Sequence, residues 1–132
     1  MANEFWLNLP VKDLNKSKAF FNNIGFTFSD GQGNSPTTAP LLLGRHKIVV
    51  MLCEEPTFKS FVNQEISDTT QSCEVLLSVD ASSKEEVDAI VEKVLASGGK
   101  SNHKPHEMSG FMYGCVFSDL DGHRWNVLHM KF

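Results

Sequence analysis

Residues 4–11 (EFWLNLPV) alternate strictly. Phe5, Leu7, Leu9 and Val11 fall on one face and Trp6, Asn8 and Pro10 on the other, the period-two signature of a half-buried strand. Asp13 is placed to cap a helix that carries Leu14, Phe20, Phe21 and Ile24 on one side, and Gly25 ends it. Phe26–Asp30 reads as a short strand running into the turn-rich stretch GQGNSPTT, and Pro40–Gly44 and Ile48–Cys53 read as two further strands. Glu54–Ser72 is polar and irregular, with one short helical turn at Phe58, Phe61 and Val62.

The pattern then restarts. Glu74–Val79 alternates as a strand. Ser83 with Glu86 three positions on forms a capping box ahead of the stripe Val87, Ile90, Val91, Val94 and Leu95, which Gly98-Gly99 closes. Met112–Ser118 and Arg124–Met130 read as strands around a four-residue turn, Asp119-Leu120-Asp121-Gly122. Strand, helix and about three strands thus occur twice, a repeat of pattern rather than of residues. An α+β fold of two βαβββ modules follows, each curling its sheet with a helix packed on the convex side. The expected core is Phe5, Leu7, Leu9, Phe21, Val75, Leu77, Val91 and Leu95. The 132 residues make one domain: module 1 over about 1–55, a linker over about 56–72 and module 2 over about 73–132.

Composition narrows the function classes. Twelve Lys and Arg against 16 Asp and Glu leave a net charge of −4, with the basic residues scattered singly, so no nucleic-acid footprint is expected. No apolar run approaches the ~20 residues of a membrane helix, and MANEFWLNLP lacks the basic start of a secretory signal. Cys53, Cys73 and Cys115 are odd in number and widely spaced, as expected of reduced thiols in a cytoplasmic protein.

Two longer motifs, LNLPVKDLNKSKAFFNNIGF at 7–26 and FSDLDGHRWNVLHM at 117–130, resemble the vicinal oxygen chelate superfamily of glyoxalase I, bleomycin-resistance proteins and extradiol dioxygenases. FMYG at 111–114, EVLLSVDASSKEEVD at 74–88 and the near-terminal HM resemble, more narrowly, the subgroup of predicted lactoylglutathione lyases. The resemblance implies paired βαβββ modules whose curved mixed sheets form an open cup and, in metal-using members, four inward strand positions that hold a divalent ion. Those positions map here to Trp6, to a residue within the apolar Ile48–Met51, to Glu74 and to Asn126. Of these only Glu74 is a strong ligand for a hard cation. No metal site and no cofactor is therefore expected, the alternative being one divalent metal ion.

The expected ligand site is Trp6, Asn8, Glu74, Tyr113, Asn126 and Met130. Four-residue turn parity puts Tyr113 on the Asn126 face, and an aromatic ring, a carboxylate, amides and a flexible thioether suit an amphipathic organic ligand. Glu74 is the candidate catalytic residue, because a carboxylate in an apolar-walled cup can serve as a general base. Against these stand blander roles: Glu74 as a strand-end carboxylate near water, Trp6 as cup filler and Asn126 as a structural amide. His103-x-x-His106-Glu107 lies in a Pro-containing loop without a helix to align it, and a solvated loop is the simpler reading. Three functions are in play: a metal-free binding module for a small organic ligand, a divalent-metal-dependent lyase or isomerase like lactoylglutathione lyase, and a vestigial module with a structural role. The expected partner is a small molecule, with neither nucleic acid nor membrane, and the resemblance implies a homodimer.

Overall fold

A computed structural model describes the chain from Met1 to Lys131. The first unit, Met1–Asp68, contains β1 (Trp6–Val11), α1 (Leu14–Asn23), β2 (Thr27–Phe28), β3 (Thr38–Leu43), β4 (Ile48–Glu54) and α2 (Glu55–Val62). The second unit, from Thr69 onward, contains β5 (Leu76–Asp80), α3 (Lys84–Ala96), β6 (His106–Met108), β7 (Met112–Ser118) and β8 (Arg124–Met130). Each unit therefore runs β-α-β-β-β, the first with α2 added at its end, and forms an open four-stranded sheet, ordered β1-β4-β3-β2 in one and β5-β8-β7-β6 in the other. In both sheets the unit's first strand lies parallel to its last, and the other pairings are antiparallel, so the class is α+β with mixed sheets.

Local chemistry explains the helices. The Asp13 carboxylate accepts the Lys16 amide at the start of α1, and Gly25 just past its end has φ +100°, a conformation that costs a residue without Cβ little. Ser83 accepts the Glu86 amide at 3.1 Å. Glu86 does not complete the reciprocal half of the box: it turns instead to the Ser82 hydroxyl at 2.8 Å. The expected single turn near Phe58 is the eight-residue helix α2, with Pro56 in its first turn and Asn63 closing it in the left-handed conformation at φ 53°.

Each unit buries its own core. In the first, Phe20 and Phe21 of α1 and Ile24 just past its end lie with Leu9, Val11, Leu41, Val50 and Leu52 of the sheet. In the second, Val87, Val91 and Val94 of α3 lie with Cys115, Phe117, Trp125 and Val127. Phe117 and Trp125 are cross-strand partners with rings stacked at 6.5 Å. Leu9, Phe21 and Val91 are buried as expected, and Leu7 and Leu77 partly so. Phe5 and Val75 are exposed because β1 and β5 begin only at Trp6 and Leu76, and Leu95 is exposed at the edge of the α3 stripe. Among the described residues no helix is long and apolar enough to cross a membrane.

Candidate functional site

Strand register sorts the candidate residues by face. In the first unit Trp6 pairs with Val49, Asn8 with Met51 and Pro10 with Cys53. Thr38, Pro40 and Leu42 of β3 continue the same face, away from the buried helix side. Trp6 is half exposed, at 53 %. Asn8 is partly buried, and its side-chain oxygen accepts the Cys53 thiol at 3.8 Å. Met51 lies over Gly33, where an added Cβ would come within 2.6 Å of the Met51 methyl carbon. Burial pushes the Cys53 thiol above its ordinary range, which disfavours the nucleophilic thiolate.

In the second unit the face away from α3 carries Asn126 beside Ser78 of β5 and Val116 of β7. Met130 pairs with Met112, and Met112 with Met108, so three thioethers form one row across β8, β7 and β6. Leu128 lies over Gly114, where a Cβ would stand 2.6 Å from a Leu128 methyl and against the Val127 carbonyl. The Asn126 side-chain oxygen is buried on this face with no hydrogen-bond partner among the described residues. His129 points to the opposite face, its Nδ1 bonded to the Ala81 carbonyl at 3.1 Å.

Two expectations need correction. The β7–β8 connection has five residues, 119–123, because Ser118 pairs with Arg124. One extra residue reverses side-chain parity along β7. Tyr113 therefore pairs with His129 and faces α3, where its hydroxyl donates to Asp88 at 2.7 Å and raises the phenol's pKa. Lys84 sits 5.4 Å over the Tyr113 ring and bonds Glu107, the cross-strand partner of Tyr113, so the tyrosine belongs to a clamp between α3 and the sheet rather than to the Asn126 face. Met112 takes its place and was missed for that reason, and Met108 beside it was missed because its short strand shows no period. The second correction concerns Glu74, which stands exposed in irregular chain two positions ahead of β5, without the apolar walls assumed for it.

The implied metal does not fit this donor set. An indole carries no ligating lone pair. Register leaves Val49 and Met51, not a carboxylate, on the Trp6 face of β4, and Asn126 is a neutral amide. Among the described residues no three His, Cys, Asp or Glu side chains gather in a group that could hold a metal ion.

The sequence matches a family model over residues 5–127, described as the Glyoxalase/Bleomycin resistance protein/Dioxygenase superfamily. A hypothetical protein from S. aureus is similar in structure with a TM-score of 0.86 and 34% identity, over 98% of this chain and 95% of that one. A glyoxalase/bleomycin resistance protein/dioxygenase family enzyme from Burkholderia phytofirmans PsJN follows at TM-score 0.80 and 21% identity, over 96% and 97%. The fosfomycin resistance protein FosX from Listeria monocytogenes shares the fold at TM-score 0.69 and 21% identity, over 100% and 94%. No functionally curated protein is significantly similar in sequence.

Proposed function

The chain belongs to the glyoxalase/bleomycin resistance protein/dioxygenase superfamily, and from that premise we propose that it is a cytoplasmic, metal-free binding module for a small amphipathic organic molecule. The observation that carries this reading is the buried, unpartnered Asn126 oxygen on the methionine-lined face of β5-β8-β7-β6. A buried carbonyl without a partner costs about 1–3 kcal/mol, so such groups are kept where a partner arrives from outside. The partner is a ligand N–H or O–H, and its apolar body lies along Met112, Met130 and Leu76, thioethers adapting to shapes that branched side chains reject. Free Cys53, Cys73 and Cys115 support a reducing compartment. The lyase alternative would need a metal, and the donor set gives it no support.

A compound screen by thermal shift, run on the wild type and on Asn126→Leu, tests the reading. Stabilising compounds that lose their effect in the variant support it. Hits indifferent to the substitution would overturn the site. About one equivalent of divalent metal in protein purified without chelators would overturn the metal-free reading and favour the lyase.

A further inference from the structure

The helix side of the second unit holds a separate cavity of about 630 Å³, between α3 and the loop 101–105, with Tyr113 at one end. Small-molecule sites usually span roughly 300–1,000 Å³. Tyr113 and Asn126 point to opposite faces of β7-β8, so this space is distinct from the face described above. Val91 floors it, and Leu95, 53 % exposed, lines it, the one large apolar member of the α3 stripe left uncovered.

The far wall is built rather than loose. Lys100 and Ser118 exchange both backbone hydrogen bonds, at 3.1 and 2.8 Å. The Ser101 hydroxyl donates to the Val116 carbonyl at 2.9 Å. The His103 and His106 rings meet edge to face at 4.7 Å, and each places Nδ1 on the Lys104 carbonyl, at 3.1 and 3.0 Å. A carbonyl only accepts, so Nδ1 of each neutral ring carries the proton and Nε2 remains an acceptor.

The polar lining sets two carboxylates among Ser101, Asn102, His103, Lys104 and Tyr113. Asp88 and Glu92 are one helical turn apart on α3, and His103 stands across from them. Lys104 is the opposing cation in the lining, and the two carboxylates outweigh it. Asp88 is aimed by the Tyr113 hydroxyl on one oxygen. Two carboxylates and an imidazole nitrogen are three acceptors, and an alkylammonium group has three N–H donors.

We propose that this cavity is a second binding site, for an organic ammonium compound whose charge sits between Asp88 and Glu92 and whose apolar body covers Val91, Leu95 and Pro105. Carboxylates of the same shape are excluded by charge. The site is independent of the Asn126 face, and the two fail separately.

Titration of ¹⁵N-labelled protein with 2-phenylethylammonium, and in parallel with 3-phenylpropionate, tests this. The ammonium probe should shift amides in α3 and in 101–105, and the carboxylate should not. Glu92→Gln should weaken the ammonium probe about two- to fivefold, the scale of one solvent-accessible ion pair. Glu92→Lys should remove the shifts, and Asn126→Leu should leave them unchanged. Glu92 is exposed, so these variants test charge without endangering the fold. Equal response to both probes, shifts centred on β8 around Asn126, or indifference to Glu92→Lys would overturn the proposal.

Discussion

The Trp125 indole N–H donates to the Asp119 carboxylate at 3.0 Å, and this bond joins the core of the second unit to its β7–β8 connection. The other carboxylate oxygen accepts the amides of Asp121 and His123, at 2.9 and 3.0 Å. One buried side chain thus spans the whole five-residue loop and holds the register that places Met112 on the Asn126 face and Tyr113 on the helix face.

Removing that carboxylate strands three donors, one of them a buried indole. Asp119→Ala should cost about 2–4 kcal/mol in urea denaturation, and Asp119→Asn, which keeps an acceptor, less. A loss under about half a kilocalorie would mean the loop is organised by its backbone alone.

Burial pushes the Asp119 carboxyl above its ordinary value, against the pull of His123 and of the Trp125 bond. The folded chain therefore holds that proton more tightly than the unfolded one. Its contribution to stability is greatest below the ordinary aspartate range, about pH 4, and is lost as pH climbs through the raised folded value. The stability of the wild type minus that of Asp119→Asn, followed against pH, should decline over that window. A difference that grows with pH would show that the three hydrogen bonds outweigh burial.

Gly114 is the crossing point for Leu128. In Gly114→Ala the new methyl group meets both the Leu128 side chain and the Val127 carbonyl. Overpacking of this kind costs about 1–3 kcal/mol. Leu128→Ala in the same chain should recover only part of the loss, since the backbone contact persists; full recovery would place all the strain in the side chain.

Thiol labelling separates the three cysteines. Cys73 is exposed, whereas Cys53 and Cys115 are buried and shifted toward the inert thiol form by desolvation. An aromatic disulfide reagent near pH 8 should label one thiol per chain promptly and two more only in denaturant. Prompt labelling of three would contradict the packing of both sheets.

Much of the architecture was legible because its signals are local. Asp13, Gly25 and Ser83 mark helix ends by hydrogen bonds within a few residues, and the segment that becomes β1 carries clean alternation. α2 was harder to read, since no side chain caps its start and it has no buried residue. β6 was missed because three residues, His106–Met108, are too few to show a period, and the ladder to β7 defines them. The Tyr113 face turned on one loop residue, and that count is settled by Asp119 reaching His123, a contact no alternation records. Asn126 was visible as a polar position in a strand, whereas its lack of a partner belongs only to the packed sheet.

The parallel pairing of first strand with last has a consequence for biosynthesis. Trp6 can find its partner only once Val49 has left the ribosome, and Leu76 must wait for Arg124. At ~5–20 residues per second, each opening strand spends seconds as an unmated ribbon while the hairpin β3–β4 or β7–β8 is still being made. Local hairpins form in microseconds, so translation rather than chain diffusion sets the order: helix and hairpin first, then capture of the waiting strand. A pause in synthesis just before β8 would hold β5 open longest, and that is the stage at which a nascent-chain chaperone would find an available strand.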